Sequence, residues 1–191
     1  MLNLQIIIAS TRSGRSGHLV GAWFTEAARR HGGFEVEVVD LAEVDLPLFD
    51  EPRHPRLHQY EHAHTKAWST TVARADAYVF VTPEYDHLPP AALVNALQHL
   101  VREWAYKPAG FVSYGGVSGG TRGVQVAKQI AVALKMMPVP EAVNLPFFSR
   151  HIDYEAATFA PAEVQEEAAV AMLDELHRWS AALKPLREAQ S

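Results

Sequence analysis

The chain has 191 residues, 48% of them hydrophobic and 20% charged, with 11 glycines and 12 prolines; that composition is globular, and the length suits one domain spanning residues 1–191. Against 17 Lys and Arg stand 22 Asp and Glu, a formal charge of −5, the wrong sign for a domain that grips nucleic acid through a basic field. No cysteine is present, which excludes disulfides, thiolate metal sites and dithiol redox cycling, so any electron transfer must run through a bound cofactor. No stretch reaches the roughly 18 apolar residues of a membrane span and the N-terminus carries no leader pattern, so the expectation is a cytoplasmic protein with no membrane partner.

Leu4 to Ala9 is a continuous apolar run, as in a parallel strand buried on both faces. From Gly17 the spacing of Val20, Phe24, Ala27 and His31 predicts a helix that stops at Gly32 and Gly33, and Phe34 to Val39 alternates as a second strand. Leu46 to Leu57 is proline-rich and reads as a loop; Trp68, Val72 and Ala75 mark a second helix, and Ala77 to Thr82 a third strand. Pro89 and Pro90 suit the first turn of a helix whose stripe is Leu93, Leu97, Leu100 and Trp104. Ala109 to Tyr114 is a fourth strand, Val126, Ile130 and Leu134 mark the next helix, and a fifth strand lies near Val139 to Leu145. A last helix opens at Pro161 and ends before Pro185, with Val164, Ala168, Met172, Leu176, Trp179 and Leu183 on one face. The four tryptophans read as packing residues.

Strict alternation of strand and helix implies an α/β, doubly wound parallel sheet with helices on both faces, and five strands favour the flavodoxin-like order 2-1-3-4-5. In that class a ligand binds outside the carboxyl ends of the strands, at the switch point between strands one and three. Three loops should therefore converge. Ser10-Thr11-Arg12-Ser13-Gly14-Arg15-Ser16-Gly17 joins strand to helix with hydroxyls, two arginines and a helix N-terminus, all of which favour a phosphate. It lacks the Gly-Lys-Ser/Thr of a nucleotide triphosphatase and the G-x-G-x-x-G of a dinucleotide site. The bland alternative is a polar connection with Ser16 as helix cap. Thr82 to Pro90 combines rigid prolines with Glu84, Tyr85, Asp86 and His87, suited to cover a planar ligand or, more plainly, to cap the next helix. Tyr114 to Gly123 carries five glycines in ten residues, which lets backbone approach a flat ring.

Together, Ser10-Thr11-Arg12-x-Gly14-Arg15, Pro83-Glu84-Tyr85 and Tyr114-Gly115-Gly116-x-Ser118-Gly119-Gly120 resemble the NADPH-dependent FMN reductase family, over roughly Leu4 to Phe147. The resemblance implies one domain that binds FMN non-covalently, takes a hydride from NADPH or NADH, and reduces small acceptors such as quinones or free flavin by a ping-pong mechanism. It places Ser10, Arg12, Ser16 and Gly17 at the phosphate, Pro83, Glu84, Tyr85 and Asp86 along the ring, and Ser113, Gly115 and Gly116 at its other edge. It also implies a homodimer or homotetramer. The family often has Asn where this chain has Asp86, and Pro where it has Ser13. An Asp86 carboxylate facing the flavin would oppose a negative charge on the reduced ring and lower its potential. Hydride transfer is the cofactor's own reaction, so no catalytic residue is assigned. Arg15, Arg122 and Arg150 are the candidates for pairing with the 2′-phosphate of NADPH.

The competing function is an electron carrier that binds FMN without nicotinamide turnover; such carriers rely on a strongly acidic docking face, and −5 is weak for one. A cofactor-free scaffold would have no use for the three loops. His54, His58, His62 and His64 crowd one segment, and His58 and His62 have the four-residue spacing of paired ligands on a helical turn. Pro55 interrupts the cluster and no third ligand is evident, so no metal site is assigned.

Overall fold

A computed structural model describes residues 1–189. Its elements in chain order are β1 (Leu2–Ile8), α1 (Gly17–His31), β2 (Phe34–Asp40), the single turn α2 (Leu41–Val44), α3 (Ala63–Ala73), β3 (Ala77–Pro83), α4 (Ala91–Gln98), β4 (Pro108–Gly115), α5 (Thr121–Ala133), β5 (Met137–Pro138), β6 (Val143–Pro146), the hairpin β7 (Ile152–Asp153) and β8 (Thr158–Phe159), and α6 (Glu163–Glu188). The main sheet runs β2-β1-β3-β4-β5, with β6 also on β4. All of these pairings are parallel. The expected order is thus met, and the chain reverses its direction of travel across the sheet between β1 and β3.

Period-two alternation divides the apolar residues between the faces. Leu4, Ile6, Val79, Val81 and Val112 join Val20, Phe24, Met172 and Leu176 from α1 and α6. Ile7, Tyr78, Phe80 and Phe111 join Trp68, Val72, Leu93 and Leu97 from α3 and α4 on the other side. Trp68 and Trp104 are buried there, their rings meeting edge to face at 6.0 Å.

Five expectations need correction. The fifth strand is two short pieces, β5 and β6, because Pro138 and Pro140 cannot donate to a ladder. Helix α4 ends at Gln98, and Trp104 belongs to a separate 3-10 turn, Arg102–Trp104. The buried stripe of α5 is Val124, Ala127 and Ala131, while Val126, Ile130 and Leu134 are half-buried. Helix α6 continues through Pro185; its last turn is fastened by Arg187, whose guanidinium lies 2.6 Å from Asp76 Oδ1 and 3.0 Å from the Tyr106 carbonyl oxygen, so tertiary contacts offset the lost helical bond. The histidines do not share a helical turn either, since α3 begins only at Ala63. His54 accepts from Arg56 N at the start of a 3-10 turn, and His58 lies 3.2 Å from Glu103.

Lys107 is buried at the end of α3, where its ammonium donates to the Val72 and Ala73 carbonyls at 3.1 and 3.2 Å and to the Tyr78 hydroxyl at 3.0 Å. Burial, helped by Arg187, pushes its pKa down from 10.5 to about 7 against the pull of Asp76 and Glu103. Between those values the unfolded chain holds more protons than the folded one, so this group makes stability rise with pH, by up to about 1.4 kcal/mol per pH unit. Denaturant unfolding of the wild type and of Lys107→Met, measured from pH 7 to 10, should show a difference that grows in favour of the wild type as pH rises. A constant difference across that range would contradict the assignment.

Candidate functional site

The parallel register brings the carboxyl ends of β1, β3 and β4 to one edge, where Ile8 pairs with Val81 and Pro83 with Tyr114. A cleft of 240 Å³ opens there, lined by Arg12, Arg15, Ser16, Pro83, Glu84, Tyr85, Tyr114, Gly115, Gly116 and Phe147-Phe148-Ser149. This is the edge that the switch-point rule selects.

The first loop ends in a cradle. Ser16 occupies the N-cap position of α1 with no capping bond from its side chain, and the first turn holds no acidic residue. The leading N–H groups and the positive end of the helix dipole are left for an anion. Ser10 stands two residues beyond β1; its hydroxyl and that of Tyr114 are buried and have no hydrogen-bond partner among the described residues. Both lie so near Gly17 that a Cβ at that position would come within 3.0 Å of each. Burial pushes the Tyr114 phenol up against the pull of the neighbouring Ser10 hydroxyl and of Arg15 and Arg12, so it stays a donor. Two orphaned donors beside an uncapped helix N-terminus suit a phosphate group, and Gly17 is the residue that leaves them room. Arg12 is exposed at the rim, its guanidinium reaching, among the described residues, the Ser13 carbonyl at 3.4 Å. Arg15 is different: it is held by Asp40 in a bidentate pair at 2.7 and 2.6 Å and by the Ser10 carbonyl at 3.0 Å. These contacts brace the loop.

The second loop is a two-residue hairpin. Tyr85 and Leu88 exchange backbone hydrogen bonds at 2.9 Å in each direction, and Asp86 and His87 both adopt positive φ, 51° and 68°. That is a type I′ turn, and Asp86 suits it, because Asp and Asn are among the non-glycine residues best tolerated in the left-handed region. Asp86 sits exposed at the turn tip and does not line the cleft, so the expected placement of its carboxylate along the ring is not met. Glu84 lines the cleft, but its carboxylate is fully engaged. It accepts from Arg122 N at 2.9 Å, Gly123 N at 3.1 Å and Ser118 Oγ at 3.1 Å, and pairs with Arg122 Nε at 2.8 Å. Burial pushes its pKa up, yet the Gly123 N–H, the Ser118 hydroxyl and the Arg122 charge outweigh this and hold it below the ordinary carboxylate value. Glu84 thus locks the loop after β3 to the N-terminus of α5.

In the third loop, Gly115 and Gly116 line the cleft, and a Cβ at Gly116 would enter open space. Ser113 does not reach it; its hydroxyl faces Asn144 Oδ1 at 3.1 Å. Tyr114, Phe147, Phe148 and Ser149 complete the wall, and none of them was among the expected site residues. Tyr114 and Phe148 rings pack at 4.8 Å, and Phe147 N donates to the Gly116 carbonyl at 3.0 Å. The signal was the aromatic pair Phe147-Phe148 just beyond the last strand on β4, at the same carboxyl edge. Of the three candidate arginines, Arg122 is bound to Glu84, whereas Arg150 stacks over the Phe147 ring at 4.7 Å with no carboxylate partner among the described residues.

A 2-1-3-4-5 parallel sheet, with a phosphate-sized cradle after its first strand and a glycine-rich loop facing it, defines a flavodoxin-like protein. The chain belongs to the NADPH-dependent FMN reductase family, whose profile matches residues 2–150. It is 43% identical over 147 residues to an NAD(P)H-dependent FMN reductase of Schizosaccharomyces pombe, covering 75% of this chain and 73% of the relative. It is 28% identical over 151 residues to a quinone reductase of Pseudomonas putida, covering 73% and 76%. Among solved structures its fold is similar to the flavoenzyme NAD(P)H:acceptor oxidoreductase FerB of Paracoccus denitrificans, with a TM-score of 0.75 at 18% identity, covering 95% and 98%.

Removing an unpartnered buried hydroxyl is close to neutral for folding, whereas removing one that bonds a bound anion costs about 1.5–3 kcal/mol of binding. Ser10→Ala and Tyr114→Phe should therefore leave the melting temperature of the flavin-free protein unchanged or raised, and each should weaken FMN binding at least tenfold in a fluorescence titration. Loss of stability without loss of FMN affinity would mean that these hydroxyls serve the core.

Proposed function

We propose that this chain is an NAD(P)H-dependent oxidoreductase that binds FMN non-covalently in the cleft at the carboxyl ends of β1, β3 and β4 and reduces quinones, free flavin or similar small acceptors. The observation that carries the reading is the pair of orphaned hydroxyls, Ser10 and Tyr114, facing Gly17 at the uncapped start of α1. When bound, FMN supplies the centre that accepts a hydride from NADPH or NADH and passes the reducing equivalents on.

The protein's part is binding and exclusion. Ser10, Ser16, the Tyr114 hydroxyl, the N–H groups from Gly17 onward and the exposed Arg12 would hold the phosphate. Pro83, Tyr85, Gly115 and Gly116 would border the ring, with Tyr114 and Phe148 closing the inner wall. Glu84 is a positioning residue: its four contacts to Ser118, Arg122 and Gly123 keep the second and third loops at a fixed separation. Ser113 and Asp86 have no place in this arrangement, so the flavin potential should be indifferent to the Asp86 carboxylate. One open mouth admits one planar partner at a time, which gives ping-pong kinetics with nicotinamide leaving before the acceptor enters. No side chain is required as general acid or base.

The test is anaerobic. FMN-reconstituted protein should lose its visible flavin absorbance on addition of NADPH or NADH and regain it on addition of a quinone, with parallel double-reciprocal lines in steady state. Flavin that binds but is reduced by neither nicotinamide would overturn the reading in favour of an electron carrier, and intersecting lines would contradict the single open face.

A further inference from the structure

Away from the cleft, the long connection between α2 and α3 runs over the start of α3 and the end of α4. Asp50 from the connection, His64 from the first turn of α3 and His99 at the end of α4 each offer one donor atom there, and all three donors lie within 4.8 Å of one another. The Asp50 Oδ1 to His64 Nε2 distance is 3.0 Å. Were these an ordinary surface ion pair beside a packed ring, the ring would be satisfied. It is not. His99 is fully buried, its Nδ1 lies 2.8 Å from the Asn95 carbonyl oxygen, and its Nε2 has no partner among the described residues. The carbonyl can only accept, so Nδ1 carries the proton and Nε2 presents a bare lone pair. An imidazole oriented by a carbonyl on one nitrogen with the other left open is the outer-shell arrangement of metal-bound histidines.

We propose that Asp50, His64 and His99 bind one divalent transition-metal ion of the zinc class, which ties the connection between α2 and α3 to both helices. Two imidazoles and one carboxylate are a borderline nitrogen and oxygen set that suits zinc, nickel or cobalt over calcium and magnesium, which prefer all-oxygen shells. Donors on a tetrahedral ion at about 2.0–2.1 Å stand about 3.3 Å apart. His99 is the fixed member; the exposed Asp50 and partly exposed His64 are free to close the remaining distance. His62 stacks on His64 at 5.2 Å with its Nε2 3.9 Å from Asp50 Oδ2, so the fourth position falls to water or to His62. The neighbouring Glu51 carboxylate, which accepts from the Glu61 and His62 N–H groups at 2.8 and 3.0 Å, adds negative charge and fixes the approach of His62.

The same asparagine serves both ends of the device. While its carbonyl aims His99, the Asn95 side chain accepts from Phe49 N at 2.9 Å and donates to the Pro47 carbonyl at 2.7 Å. Asn95 also lines, with Thr11, Leu41, Ala42, Asp45, Leu46 and Ala92, a second cleft that begins at the loop after β1. A metal at Asp50 would hold residues 47–50 in place beside that loop. The proposal does not depend on the flavin reading, and its test does not use flavin.

Full-length protein stripped with a chelator and desalted should bind one zinc ion per chain by calorimetry. Cobalt should give visible absorption bands of a nitrogen-ligated tetrahedral ion. Asp50→Asn and His64→Gln lie on solvent-accessible positions that keep the fold, and each should weaken zinc binding at least tenfold and abolish the cobalt bands. His58→Gln, whose partner is Glu103 and which lies outside the Asp50, His64 and His99 group, should leave both unchanged. Absence of one-to-one binding, affinity unaltered by Asp50→Asn and His64→Gln, or loss of binding in His58→Gln instead would each overturn the proposal.

Discussion

The parallel register of β1, β3 and β4 is the constraint on which the rest depends. It sets Ile8 level with Val81 and Pro83 level with Tyr114, so chain segments distant in sequence leave the sheet at one edge and in one direction. The register is itself a consequence of burial. Leu4, Ile6, Val79, Val81 and Val112 must face one helical layer while Ile7, Tyr78, Phe80 and Phe111 face the other, and a slip of one residue would exchange the faces. With the strands fixed, Ser10 and Tyr114 are delivered to the same point from β1 and β4, and Gly17 is the first residue of the helix that closes it.

A second tie converts proximity into shape. Glu84 leaves β3 and is received by the backbone of Arg122 and Gly123, the Ser118 hydroxyl and the Arg122 guanidinium. A buried carboxylate without those donors would be strongly unfavourable, so the glycine-rich loop and the start of α5 must stay where they satisfy it. On the opposite side Arg15 and Asp40 form the corresponding brace for the first loop, and Asp40 also accepts from Ala42 N at 3.0 Å to start α2. Both braces use charged residues that a reading by residue type assigns to the ligand.

That explains what was and was not legible in the sequence. Periodicity located the helices and strands because the sheet is buried on both faces, and the three loops followed from topology. Ser10, Arg12, Ser16, Gly17, Pro83, Glu84, Tyr85, Gly115 and Gly116 are at or beside the cleft. Ser113 and Asp86 are not, because strand alternation turns Ser113 towards Asn144 and a type I′ turn carries Asp86 away. Phe147 and Phe148 were hidden by the broken fifth strand position, whose prolines obscure its period. His99 was invisible beside the other histidines, since a lone histidine at the end of an apolar helix carries no pattern; only the tertiary approach of α3, α4 and the intervening connection sets it against His64 and Asp50.

On the proposed reading, the start of α1, with Ser10, Tyr114 and Gly17 around it, grips a flavin through its phosphate. Titrating the flavin-free protein with FMN and with riboflavin, which differ only in that phosphate, tests it directly. FMN should bind at least a hundredfold more tightly than riboflavin, a difference of about 2.7 kcal/mol, and the gap should narrow as ionic strength rises. Equal affinity for the two flavins would contradict it.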